Sequence, residues 1–245
     1  MFNQLTPVVK NLIILNVLVW LACYAIPGLN EQVAGHYFSS PLFRPWQIFT
    51  HMFAHSQQGI FHIFFNMYAL FAFGSHLERY WGPKRFLFYY LFSGLGAFGL
   101  HEFINYLEIQ QMMAVMSPEM IQTVFTEGAE IMSQGKNYID PDLGSLNSAV
   151  NGGIVGASGC VFGVLLAFGM MFPNTELMLM FPPIPLKARW FVLIYGGIEL
   201  IMALRSAPDD NVAHYAHVGG MIFGYLLLKY WQKKDGNYFG NGPIF

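Results

Sequence analysis

Six predominantly apolar runs, about 9–28, 58–80, 86–107, 149–172, 188–205 and 212–232, constrain this chain more than any other feature. Each approaches the roughly 20 residues that a helix needs to cross the hydrocarbon core of a bilayer. With 55% hydrophobic and only 11% charged residues, the chain is too apolar for an ordinary soluble domain. The expected fold is all-α: a polytopic membrane protein, one six-transmembrane-helix bundle. A formal net charge of -2 leaves no basic patch for nucleic acid, which is excluded as a partner. The first run, Leu12 to Ile26, resembles a secretory signal with a lipoprotein-like Leu21-Ala22-Cys23. Trp20 and the spans that follow favour an uncleaved first span instead. Cys23 and Cys160 sit inside apolar runs and read as small packing residues.

The basic residues set the expected orientation, since Lys and Arg are retained on the cytoplasmic side. With the N-terminus inside, Lys10, Arg79, Lys84, Arg85, Lys187, Arg189, Lys229, Lys233 and Lys234 fall on one side, against Arg44, Lys136 and Arg205 on the other. Both termini are therefore expected in the cytoplasm, in a bacterial inner (plasma) membrane, with residues 233–245 as a short cytoplasmic tail. Residues 108–147 are expected to form a long, polar, acidic extracytoplasmic loop. Pro173, Pro182, Pro183 and Pro185 mark the fourth connection, and Ser206 to Asp210 the fifth. The absence of an internal repeat argues against a transporter built from inverted halves.

Polar groups inside a span are costly, so each is a candidate for function. Ser158 lies in a run that opens with Asn151-Gly152-Gly153, a segment expected to stay non-helical, so that the helix itself starts near Ser158. Irregular backbone at membrane depth survives only where protein buries it or a wet cavity adjoins it. A helix starting at Ser158 aims free N–H groups and a positive dipole end at any oxyanion formed beside that serine. Gly156 and Gly159 leave room for a substrate backbone. Alone, Ser158 reads more readily as a small residue that lets helices pack than as a nucleophile. The sixth run alters that balance. At 100° per residue, Ala213, His217, Gly220 and Gly224 share one stripe and His214 does not. The small residues allow close approach to the fourth helix, bringing His217 rather than His214 to Ser158, with Phe162 beneath the imidazole. A serine needs such an adjacent base to become a nucleophile. His214 is left as a packing or rim residue.

His62 and Asn66 are four apart on one helical face and suit an oxyanion hole, the alternative being a hydrogen bond that only joins helices. A metal reading from His51, His55 and His62 is weak, because H-E-x-x-H is absent and no carboxylate joins them. No acidic residue is expected to orient His217, giving a Ser158–His217 dyad. Glu199, the one carboxylate in the fifth run, is expected near its outer end, solvated and without chemistry.

Gly156-Ala157-Ser158-Gly159, followed by Ala216-His217-Val218-Gly219-Gly220 with Gly224, resembles the paired signature of rhomboid intramembrane serine proteases. His62 with Asn66 is similar to that family's H-x-x-x-N element. Gly74 to Glu78 with Trp81-Gly82 resembles the end of its second helix, and Trp46, Thr50, Phe53 and His55 its first loop. Gln47 stands where the family commonly has arginine, which puts loop anchoring in doubt. Phe162 stands where tyrosine is common. The resemblance implies a serine endopeptidase that cuts transmembrane helices of other membrane proteins near the extracytoplasmic face, through an acyl-enzyme. It implies Ser158 and His217 as catalytic, with His62, Asn66 and the Ser158 N–H as oxyanion hole and Gly156, Gly159, Phe162, Gly220 and Gly224 in support. It implies no cofactor and no metal. The substrate is expected to enter laterally beside the fifth helix, past Trp190, Phe191 and Leu193. A rhomboid-like binding protein without catalysis is the alternative, and the intact serine and histidine argue against it. Oligomeric state is left open.

Overall fold

A computed structural model describes residues 5–57, 59–178, 184–205 and 213–235. The chain opens with α1 (Pro7–Ala25), α2 (Leu29–Val33), strand β1 (Gly35–His36), α3 (Gln47–Thr50) and α4 (Phe61–Ala69). A π-helical turn at Leu70–Gly74 carries α4 into α5 (Ser75–Trp81). Gly82, at φ 79°, reverses the chain, and Pro83 starts α6 (Pro83–Met113) at a position that needs no N–H. There follow α7 (Pro118–Ser133), α8 (Pro141–Asn151), β2 (Gly153–Ile154), α9 (Ser158–Met171), β3 (Glu176–Met178), β4 (Pro185–Lys187), α10 (Ala188–Arg205) and α11 (His214–Asp235). Pro182 and Pro183, the Ser206 to Asp210 connection, the start of the last run at Val212 and the tail beyond residue 235 lie outside the described residues.

The segment expected to be a loop at 108–147 is largely helical. α6 runs on to Met113, and α7 and α8 form a helical pair with its own small core of Ile109, Val124, Leu146 and Val150 closed by Tyr37. Both helices carry start signals. Ser117 Oγ accepts from Met120 N, and the Asp140 carboxylate accepts from Asp142 N and Leu143 N, each cap followed by proline. A ladder of amides ties this cap to the first loop: Ser40 Oγ donates to Asn151 Oδ1 at 2.7 Å, Asn151 Nδ2 to Asn147 Oδ1 at 2.9 Å, and Asn147 Nδ2 to Asn137 Oδ1 at 2.9 Å. The run expected from residue 149 is correspondingly divided. Asn151, expected outside any helix, ends α8; β2 then pairs antiparallel with β1, Gly35 opposite Ile154 and His36 opposite Gly153, before α9 begins at Ser158.

At the centre stands α9, buried at every position but Ser158, Leu166 and Met171 and packed by α6 and α11. Tyr89 of α6 donates to the Gly163 carbonyl of α9 at 2.9 Å. The outer helices present Leu15, Leu18 and Leu21 of α1, Phe64 and Phe65 of α4, and Leu193, Ile194, Ile198 and Ile201 of α10 to the surroundings. An apolar exterior of this extent suits lipid, not water. Among the described residues, α1 alone is both long and apolar enough by itself to cross a membrane. α9 is apolar but has 14 residues, about 21 Å at 1.5 Å per residue.

At the base of α1, Glu78 of α5 is buried and acts as an N-terminal cap. Its carboxylate accepts from Thr6 Oγ1 at 2.5 Å, Val8 N at 3.0 Å and Val9 N at 2.9 Å. Three otherwise unpaired donors at the positive end of a helix dipole thus share one anion.

Candidate active site

Ser158 is the first residue of α9, so its N–H and those of Gly159 and Cys160 precede the first intrahelical bond, Val161 N to Ala157 O at 2.9 Å. The helix starts here because Gly156, at φ 136°, turns the chain out of β2 while its N–H donates to His51 O at 3.0 Å. Across from it, α11 approaches α9 closely: a Cβ added to Gly220 would fall on the backbone of Gly159. That approach sets His217 Nε2 2.8 Å from Ser158 Oγ. Phe162, one turn along α9, stacks on the imidazole with ring centroids 4.2 Å apart and planes inclined by 15°. Gly224 does not continue the contact with α9; it faces Tyr89 and Ser93 of α6.

Nδ1 of His217 does not face solvent. It lies 2.7 Å from Oε2 of Glu199, a carboxylate only 5% exposed, in the middle of α10. The expectation of a solvated Glu199 and of a base with no acidic neighbour is therefore corrected. With the proton on Nδ1 donated to Glu199, Nε2 is left as an acceptor for the serine hydroxyl. The sequence carried one usable signal for this. A carboxylate in an apolar run needs a partner, and His214 and His217 were the titratable groups at the facing end of the next helix.

His62 of α4 reaches the other side of Ser158. A Cβ placed on Gly156 would lie 3.1 Å from His62 Nε2 and 3.4 Å from Ser158 Oγ, so the glycine keeps open a small space between the two. His55 packs edge-on against His62 at 5.2 Å. Asn66 is buried one turn below, and one N–H of its amide donates back to His62 O at 3.1 Å, leaving the second for any other acceptor. Gln47, in place of the family's usual arginine, is itself an anchor. Its amide accepts from Arg44 N at 2.9 Å and donates to Leu42 O at 3.1 Å, with a weaker contact to Glu31 O at 3.3 Å.

A hydroxyl, an imidazole and a carboxylate in hydrogen-bonded sequence at a helix start are the parts of an acyl-transfer centre. Residues 43–233 match the rhomboid domain. The chain belongs to the rhomboid family. It is 28% identical over 217 residues to a mitochondrial rhomboid protein of Schizosaccharomyces pombe, covering 78% of this chain and 53% of that protein. It is 24% identical over 241 residues to the mitochondrial presenilin-associated rhomboid-like protein of Homo sapiens, covering 93% and 50%. It is 25% identical over 167 residues to the rhomboid protease AarA of Providencia stuartii, covering 68% and 49%. The chain spans about half the length of the curated relatives it matches. As a rhomboid it is an all-α membrane protein. The bacterial plasma membrane expected from the sequence, with its cytoplasmic termini, is overturned by these relatives. Those from fission yeast, zebrafish and baker's yeast are named mitochondrial and point to a mitochondrial membrane. Loop charge ranks the two sides of a membrane but does not identify the membrane.

Proposed function

We propose that this rhomboid is an intramembrane serine endopeptidase whose six spans are α1, α4–α5, α6, α9, α10 and α11, and that its substrates are transmembrane segments of other membrane proteins. The observation that carries this reading is the 2.8 Å contact between Ser158 Oγ and His217 Nε2 at the start of the central helix. Ser158 Oγ attacks a peptide carbonyl as His217 Nε2 takes its proton. The N–H of Ser158 lies at the positive end of α9 and stabilises the oxyanion together with His62 and, through its second N–H, Asn66. His217 then returns the proton to the leaving amine, and a water activated by the same nitrogen releases the acyl group. Glu199 holds the imidazole in the tautomer this needs, and Phe162 holds its plane. Trp190 and Leu193 are exposed on α10, on the flank where a segment arriving from lipid would pass, at the depth of Gly169, on which Val192 packs, and not at the depth of Ser158.

Purified protein reconstituted with a model transmembrane substrate tests the reading. Ser158→Ala and His217→Ala should abolish cleavage and labelling by a fluorophosphonate, while His214→Ala should retain most of both. Cleavage by Ser158→Ala at the wild-type rate would end the proposal. Substrate binding without cleavage in the wild type would favour a client-binding rhomboid instead.

A further inference from the structure

Glu199 Oε2 receives a second imidazole. Nδ1 of His214 lies 2.6 Å from the oxygen that His217 also contacts at 2.7 Å. One ligand atom from each of Glu199, His214 and His217 lies within 4.8 Å of the others, and the three side chains are between 7% and 12% exposed. Two imidazoles and one carboxylate form the donor set that zinc-class cations take in open sites, with a fourth position left to water. Metal–ligand bonds of about 2.0–2.2 Å separate neighbouring tetrahedral ligand atoms by about 3.3 Å. The two contacts to Glu199 therefore have to open by roughly 0.6 Å, while the two imidazole nitrogens, within 4.8 Å of each other, settle to the same separation.

We propose that Glu199, His214 and His217 bind a divalent transition cation of the zinc class, and that this binding switches off the serine centre. The inhibition rests on the protease reading above; the site itself does not. A cation can bond to Nδ1 of His217 only through that atom's lone pair, so the ring proton must sit on Nε2 instead. Nε2–H then donates to Ser158 Oγ and has no lone pair to accept the hydroxyl proton. Each imidazole remains neutral: its proton moves from Nδ1 to Nε2 through solvent, and none is gained or lost. The cation thus acts on the tautomer of the base and need not touch the nucleophile. His214 takes no part in the acyl transfer and serves as the ligand that adds metal affinity.

The test uses the whole protein in detergent after dialysis against a chelator. Cobalt(II) chloride, a spectroscopic stand-in for zinc, should give the visible absorption of a tetrahedral site and saturate at one ion per chain. Zinc chloride should inhibit both cleavage of a transmembrane substrate and fluorophosphonate labelling of Ser158, reversibly on adding chelator. His214→Gln should cleave close to the wild-type rate without metal, lose the cobalt spectrum, and need at least about tenfold more zinc for half-inhibition. An active wild-type protein that gives no cobalt spectrum overturns the site, whatever the variant does. Equal zinc sensitivity in wild type and His214→Gln overturns it too. A cobalt spectrum in protein without any cleavage sinks the protease reading and leaves the metal site standing.

Discussion

Oε2 of Glu199 lies 2.7 Å from Nδ1 of His217, which puts a buried carboxylate behind the imidazole that faces Ser158. Its consequence is a tautomer: with Nδ1–H held by the carboxylate, Nε2 is free to accept. An amide at the same place can present its NH2 to Nδ1 and stabilise the wrong tautomer, the effect that costs about 10⁴ in kcat for the buried aspartate of soluble serine proteases. Phe162 also fixes the ring here, so Glu199→Gln is expected to lower kcat by about 10²-fold, with KM nearly unchanged. Steady-state cleavage of a reconstituted substrate measures it. An unaltered kcat in a folded variant would show that the carboxylate does not act on the base.

The helical phase of residues 213–224 and the glycine-rich opening before Ser158 were enough to select His217 over His214 and to place Phe162 beneath it. Those relations lie along single helices or between two that small residues force together. Glu199 was misjudged because its neighbour depends on how α10 is rotated against α11. The signal for that rotation was present and went unused: Gly196 and Ala203 share the α10 face of Glu199, and a Cβ on Gly196 would press on Met221 of α11. The cap at residues 108–151 was legible in part. Ser117-Pro118 and Asp140-Pro141 are both cap-then-proline starts, and reading the segment as acidic and polar passed over them. Glu78 was read only within a motif, because the amides it caps lie about 70 positions earlier in the chain.

Gly156 combines a φ of 136° with the open space between His62 Nε2 and Ser158 Oγ. A methyl group there meets a strained backbone and fills the position where an oxyanion would approach. Gly156→Ala is expected to reduce cleavage by about 10²-fold or more while costing only about 1–2 kcal/mol of stability. Cleavage assays paired with thermal unfolding in detergent separate the two effects. Wild-type cleavage by the alanine variant would remove this space from the mechanism.

The carboxylate of Glu78 accepts three hydrogen bonds at the start of α1 and is nearly inaccessible. Glu78→Ala leaves one buried and one half-buried backbone donor and a hydroxyl without their anion, at a cost of about 3 kcal/mol. The expected reading is a lower unfolding midpoint in denaturant, with Glu78→Gln intermediate because its amide keeps one acceptor. An alanine variant as stable as the wild type would show that α1 is held by packing alone.

His51 and His55, in the first loop, titrate at about 4 in the folded protein instead of 6.5, because burial strips solvent from the imidazolium and, for His55, His62 adds repulsion. Above pH 6.5 both folded and unfolded forms are neutral, and these groups give no pH dependence. Between 6.5 and 4 the unfolded chain binds protons that the folded loop refuses, so stability falls as pH falls. The loss levels off below about 4, at roughly 3 kcal/mol for each fully shifted histidine. The unfolding midpoint should therefore drop between pH 7 and pH 5, and His55→Gln should flatten part of that slope. A midpoint independent of pH across this window, in wild type and variant alike, would mean that these histidines are already solvated in the folded loop.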